Sequence, residues 1–482
     1  MLNFNRAGFS VQREGEFYEI NRFTLYAARC AKCAKFLLWI LLSILLISRA
    51  FAQVNIGGYV ETINRYWISP DSGKWTWNEV RTEVNLEATP GDNLHFYSEV
   101  RLRALGFPNI TSITDLQRRE KDKAFPWSLM VRETYLDIYG FIYPNIDLRA
   151  GKQIIAWGTA DKINPTSNLS SYDLEDFFEF GEKIGVNALR VNFTLEPVTL
   201  EADFIPVFTP STLPPPEWTN IMLGEDIPLP TGMHLVNKSD TVKLPERKLN
   251  KSAEAAFKIS GTLWNWDFSL SYFYGYDGLP LGERVEIIPL DTLGNVNLKI
   301  ITSYPRIQVI GGDFAGSVKG IGVWGEGALY IPEDFIMTRV IPSPYGPVME
   351  MDTLLKNKSP YFKFVLGADY TFKNGMYFNI QYVRGFLHER GDSLKDYFIA
   401  RVEKKFFNDE LKIVPVGIAA TISDWDNSRE NYGVAYLPEI SYSPYDNVEV
   451  RLGAHILDGK GRNVFSNMKE RDEVFLRVKL SF

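Results

Sequence analysis

Cysteine and histidine are nearly missing from this chain, with two of one and four of the other in 482 residues. Both cysteines, Cys30 and Cys33, precede an apolar run near the amino terminus, so the long remainder can build neither a disulfide framework nor a thiolate metal site. The histidines, His95, His234, His388 and His455, are scattered, and no His-Glu-x-x-His or Gly-x-Ser-x-Gly pattern accompanies them. Glycine loops of the nucleotide-cradling kind are missing too. The chain is therefore expected to be no enzyme, with no catalytic residue, no metal and no cofactor. No segment beyond residue 52 is apolar for the roughly 20 residues that a membrane-crossing helix needs. A basic excess is also lacking: from Gln53 onward 45 Lys and Arg stand against 56 Asp and Glu, a net charge of −11, which excludes nucleic-acid binding as a main role.

The amino terminus sets the compartment. Phe36 to Ile47 is apolar, follows Arg29, Lys32 and Lys35, and runs into Ala50, Phe51 and Ala52. A charged region, an apolar core of about a dozen residues and a small-x-small end form a secretory signal, with cleavage expected before Gln53. Arg49 cuts the run too short for an anchor. Residues 1–52 are thus read as a signal peptide whose start lies further upstream than a signal needs, and residues 53–482 as one domain.

Aromatic residues make up 14% of the chain, yet its mean hydropathy is only −0.14. A β-barrel in a membrane reconciles the two, because every second side chain faces lipid and the others face water. Alternation recurs along the chain. Val80, Thr82, Val84 and Leu86 interleave with Glu79, Arg81, Glu83, Asn85 and Glu87. Val100 and Leu102 interleave with Glu99, Arg101 and Arg103, and Val448, Val450 and Leu452 with Glu449 and Arg451. Such segments are expected to begin near residues 54, 75, 94, 127, 145, 184, 197, 251, 266, 299, 319, 360, 376, 395, 410, 432, 447 and 470. Tight turns at 90–93, 143–145, 196–197, 264–266, 319–320, 373–375, 408–410 and 444–447 alternate with longer stretches such as 106–126, 158–183, 209–250, 278–298 and 332–359. Short turns at one end and long loops at the other predict an all-β fold, a transmembrane antiparallel β-barrel of about 18 strands with short periplasmic turns and long extracellular loops.

The final strand supports the same fold. Val474, Leu476, Val478, Leu480 and Phe482 share one face, and Glu473, Arg477, Lys479 and Ser481 the other. An alternating strand ending on an aromatic residue resembles the recognition signal of outer-membrane proteins, which implies the barrel-assembly machinery and outer-membrane lipid as partners in a two-membrane bacterium. A second resemblance lies further upstream. Val131 to Tyr139 and Leu148 to Leu169, with Gly151-Lys152-Gln153 running into Trp157-Gly158 and Asn164-Pro165, resemble the alginate-export-like and related uncharacterised porin-like families. That resemblance implies a wide passive barrel with a loop folded inward, and transfers no substrate.

If the apolar faces meet lipid, the lumen is lined by Glu79, Arg81, Glu83, Glu99, Arg101, Arg103, Glu133, Asp137, Arg190, Glu201, Asp203, Glu254, Lys258, Glu449, Arg451, Arg477 and Lys479. Both signs are represented, as in a passage that filters polar solutes by a transverse field. The stretch from Gly158 to Gly185 carries Asp161, Asp173, Glu175, Asp176, Glu179 and Glu182 among Phe177, Phe178 and Phe180. It is expected to pack on the wall as a constriction and present carboxylates to the pore. Those acids lack the spacing of a calcium loop. The proline-rich stretch from Ser211 to Lys251 reads as a mobile surface loop unable to add a regular strand cheaply. The expected function is an outer-membrane porin-like channel for small polar solutes. The alternative is a barrel with an incidental pore, serving as surface adhesin, scaffold or barrel enzyme, and a homo-oligomer is compatible with either.

Overall fold

The computed structural model describes residues 53–69, 73–117, 123–215, 229–343 and 346–482. The expected signal, with Cys30 and Cys33, lies outside the described residues, as do Pro216 and Pro228. In chain order the strands are β1 Gln53–Trp67, β2 Trp75–Thr89, β3 Leu94–Leu105, β4 Trp127–Ile138, β5 Ile146–Gln153, β6 Val186–Leu195, β7 Val198–Ile205 and β8 His234–Lys243. They continue as β9 Glu254–Leu263, β10 Trp266–Tyr276, β11 Leu281–Pro289, β12 Asn295–Ser303, β13 Arg306–Val318, β14 Ile321–Pro332, β15 Phe335–Ile341 and β16 Val348–Leu355. The last are β17 Tyr361–Thr371, β18 Met376–Arg384, β19 Asp396–Phe406, β20 Leu411–Ile422, β21 Tyr432–Tyr436, β22 Glu439–Tyr445, β23 Val448–Gly459 and β24 Glu473–Ser481.

Without β8, β11, β12, β15 and β16, the strands pair antiparallel in sequence order, and β24 returns to β1 with Tyr59 opposite Ser481 and Trp67 opposite Glu473. The pair β21 and β22 forms one stave, broken at Leu437 and Pro438, so the result is a closed barrel of 18 strands. Closure satisfies the edge hydrogen bonds that an open sheet would leave unpaired. Period two does the rest. Leu129, Leu270, Ile380 and Phe362 are more than half exposed on the outer face, while Glu61, Glu79, Glu326 and Asp203 are buried on the inner one. All eight expected tight turns join adjacent barrel strands, and several place residues at positive φ, such as Trp264 and Asn265 at 53° and 61°. That backbone twist matches the right-handed twist of the flanking strands.

The long-loop end holds a structure that the periodicity did not separate from the barrel. β16, β15, β11, β12 and β8 form a second sheet in that order, with β11–β15 and β12–β8 parallel. Val285, Ile287, Val296 and Leu298 make its small core with Met233 and Met337. Two expectations change. The strand expected near residue 299 is divided: β12 belongs to this outer sheet, and the barrel stave begins at Arg306, after Pro305 breaks the ladder. The stretch from Ser211 to Lys251 does contain a regular strand, β8, because β12 offers it an edge to pair with.

Candidate functional site

The inner wall of β1 to β4 and β24 carries arginine and glutamate in register. Arg81 stands opposite Glu61 on one neighbour and Arg103 on the other, and Glu83 stands opposite Arg101. The pairs close tightly: Arg103 Nε donates to Glu79 Oε1 at 2.6 Å and Arg81 Nε to the same oxygen at 3.0 Å. Arg101 Nε donates to Glu83 at 2.8 Å, Arg132 Nε to Glu99 at 2.6 Å and Arg477 Nε to Glu61 at 2.6 Å. Like-charged neighbours such as Arg81 and Arg103 tolerate each other because Glu79 lies between them.

The segment 154–185, between β5 and β6, runs across the lumen and touches the wall around the ring. It leaves β5 where Glu133 accepts from the Ile154 N–H at 2.6 Å. Trp157 Nε1 then donates to Glu201 on β7 at 2.8 Å, and the Thr159 N–H donates to Glu326 on β14 at 3.0 Å. Asp161 accepts from Asn379 and Gln381 on β18 at 3.1 and 2.7 Å. The chain comes back along the arginine wall. Asp176 takes both arms of Arg65, one at 2.8 Å, and Glu175 accepts from Arg103 at 2.6 Å. Glu179 binds Arg477 and lies 3.4 Å from Arg81. Glu182 accepts from Arg101 at 3.0 Å and from Arg132 at 2.9 Å. Phe178 stacks on His455 with ring centres 3.8 Å apart. Gly158 makes this path feasible: its φ is +91°, and a Cβ there would lie 1.8 Å from Glu326 Oε2.

Charge follows from these contacts. Burial raises Glu182, but Arg101 and Arg132 outweigh it and hold the carboxyl down at about 2. Asp176 is shifted in the same direction, its burial being overcome by Arg65. Lys183 forms no ion pair among the described residues; burial pushes it down to about 7 against the opposing pull of Glu326, and its Nζ donates to the Ser167 carbonyl at 3.1 Å over the Tyr172 ring.

Beside this segment a cavity of about 700 Å³ stays open against β19, β20, β22, β23, β24 and β1. Arg65, Arg401, Lys412, Glu439, Glu449, Arg451, Arg477 and Lys479 line its barrel side, and Asp161, Lys162, Glu179, Phe180 and Glu182 its loop side.

All of the lumen residues expected from the sequence lie on barrel strands, but they do not form one site. Glu79, Arg81, Glu83, Arg101, Arg103 and Arg477 join the arginine wall, with Glu99 beside them through Arg132. Asp137 is held apart by Arg149 at 2.6 Å and His95 at 2.9 Å. Arg190, Glu201 and Asp203 form a separate group, with Arg190 bonded to Glu201 and 3.6 Å from Asp203. Lys258 stands opposite Glu201, and Glu254 is buried where it accepts from the Tyr276 N–H at 2.9 Å. Glu449 and Arg451 pair at 3.0 Å on the cavity side, and Lys479 sits with its Nζ 4.1 Å from the Tyr59 ring centre. Of the expected constriction residues, Glu175, Asp176 and Glu179 bind wall arginines, and Asp173 accepts from Thr212 Oγ1 at 2.5 Å.

Sequence reasoning missed Glu61, Arg65, Arg132, Lys162, Glu326, Arg401, Lys412 and Glu439. Alternation offered a signal for Arg401, two residues from Glu403 and separated from it by Val402. None marked Glu326, the sole acid in a glycine-rich strand.

No family model and no curated protein matches the chain. Similar solved structures include OmpF of Salmonella typhi in complex with daunomycin, 9% identical, covering 89% of this chain and 97% of that one at a TM-score of 0.37. OmpT, an outer membrane protein of Vibrio cholerae, is 9% identical over 89% and 98% at 0.40. OccK9 (OpdG) of Pseudomonas aeruginosa is 10% identical over 89% and 97% at 0.46. The barrel assignment rests on the closed strand ladder of this chain itself.

Proposed function

We propose that this chain is a bacterial outer-membrane channel for the passive passage of small polar solutes, narrowed by the segment 154–185. The observation that carries the reading is that this segment crosses the barrel and is bonded on both sides, yet leaves a cavity of about 700 Å³ lined by charges of both signs. Charged walls around water orient and filter solutes without holding them, as passive passage requires. The apolar outer band supports a membrane location. The alternating C-terminal strand supports delivery through the barrel-assembly machinery, and a signal peptide ending before Gln53 fits the same route. The resemblance to alginate-export-like barrels supports the inward loop.

Purified protein refolded into planar bilayers should give stable, ion-conducting steps, and deleting residues 168–182 should raise their size. A folded barrel that gives no steps would overturn the channel reading. The five-stranded outer sheet favours one second reading, a barrel serving as a platform for an external partner, with β8 and β16 as its open edges. Removing β8 would then abolish surface binding and leave the conductance unchanged.

A further inference from the structure

Resting on the channel reading, we propose that the passage favours small anions, from halide to carboxylate, and that Lys162 and Lys479 set this preference.

In sequence the segment 154–185 is acidic, and carboxylates standing free in the lumen would draw cations. The fold pairs these carboxylates. Asp176 is matched by Arg65, Glu175 by Arg103, Glu179 by Arg477 and Arg81, and Glu182 by Arg101 and Arg132. Asp161 is bonded to the amides of Asn379 and Gln381. The loop's carboxylates are thereby matched by wall groups, and Asp161, Glu179 and Glu182 border the open cavity as bonded partners rather than as free charges.

There the balance is different. Arg401 lies 3.1 Å from Glu403, Lys412 is 3.9 Å from Glu439, and Arg451 is 3.0 Å from Glu449, so these three cations are offset by acids. Arg451 and Glu449 are about equally exposed, but the other two pairs are not. The Arg401 side chain is 40% exposed against 19% for Glu403, and Lys412 is 24% exposed against 16% for Glu439, so the basic ends reach further into the water.

Lys162 and Lys479 tip the sum: seven Lys and Arg side chains line the cavity against five carboxylates, and these two are the cations outside its ion pairs, although Glu61 and Glu449 stand opposite Lys479 in the ladder. Each ammonium rests near an aromatic ring, Lys162 at 5.3 Å from Phe180 and Lys479 at 4.1 Å from Tyr59, and among the described residues neither forms an ion pair with a carboxylate. An aromatic face steadies an ammonium and leaves its charge in place. One lysine projects from the loop and the other from the wall, and both line the same cavity. A net positive lining around a narrow water passage with low-dielectric walls concentrates anions and repels cations.

The test is the reversal potential of the refolded full chain in a bilayer under a KCl gradient, repeated with potassium acetate. Wild type should show chloride permeating more readily than potassium, with a smaller margin at high salt, where screening is stronger. Lys162→Gln with Lys479→Gln should lose most of the preference, and Lys162→Arg with Lys479→Arg should keep it. Cation preference in wild type, or a preference unmoved in the Gln pair, overturns this inference and leaves the channel reading standing. If the Gln pair does not fold, the wild-type chloride and acetate potentials decide alone. A folded barrel with no ion-conducting steps overturns the channel reading itself and this inference with it.

Discussion

Arg65 and Asp176 are both buried, at 6% and 8% exposure, and each has lost the water that would have solvated its charge. Two such groups persist only as a pair, so removing one leaves the other uncompensated at a cost of about 3–5 kcal/mol. Arg65→Met should therefore free the loop around Asp176, seen as faster proteolysis within residues 170–182 and as flicker in the open channel. Adding Asp176→Leu should restore most of the order, because an apolar pair replaces the two charges and Glu473, 3.7 Å from Arg65, keeps its bonds to Thr76 and His455. Protection equal to wild type in the single variant would show that the pair is no latch. Glu182 supplies the matching pH dependence. Its docked carboxyl lies at about 2 against an ordinary 4.5, so its contribution to docking is complete above about 4.5 and is lost as pH falls toward 2. Pepsin cleavage of the loop should rise through that window. Glu182→Gln should show at neutral pH the looseness that wild type reaches only in acid, and identical acid profiles for the two proteins would assign the effect elsewhere.

At the scale of the element, the path of the segment 154–185 turns on Gly158. A side chain there meets a left-handed backbone cost of about 1–2 kcal/mol and also strikes the buried Glu326 carboxylate. Gly158→Ala is thus expected to leave the barrel closed while loosening the loop, raising conductance in the same direction as deletion of residues 168–182 but by less. Conductance and noise like those of wild type would show that the loop has another way round. The staves were legible in the sequence because period-two patterns alternate with tight turns, several of them at positive φ, as at Trp264-Asn265 and Lys319-Gly320. The outer sheet was not, since alternation in β12 and β13 looks alike whichever sheet a strand joins. The wall on β2 and β3 was legible because Val80, Thr82, Val84 and Leu102 mark an unbroken lipid face. Arg65 was hidden because Thr62 and Asn64 interrupt that face on β1. Glu326 and Lys162 became visible only through the fold, because the contact of Thr159 with Glu326 spans 167 residues of chain and no local spacing records it.

For the whole molecule, closure depends on one seam, between β24 and β1. Phe482 takes part beyond the last assigned strand residue: its N–H donates to the Gly58 carbonyl at 2.9 Å, and the Gly58 N–H donates to the Phe482 carbonyl at 3.0 Å. Its ring is 60% exposed, on the same face as Leu480, so it points toward lipid and away from the lumen. Deleting Phe482 would leave the N–H and C=O of Gly58 without partners at the short-turn end of the seam, a penalty of about 1–3 kcal/mol for each group kept from water. The lumen would be untouched, because Arg477 and Lys479 keep their places opposite Ile63 and Glu61. Assembly and conduction should therefore separate. The truncated chain is expected to fold into vesicles more slowly and to a lower yield, followed by the heat-sensitive gel mobility of a closed barrel. The molecules that do close should have the conductance and ion preference of the intact chain. Equal folding rates with and without Phe482 would mean that the seam is set by the register from Tyr59 to Trp67 alone. Altered conductance in the closed fraction would mean that strain at the seam reaches the arginine wall.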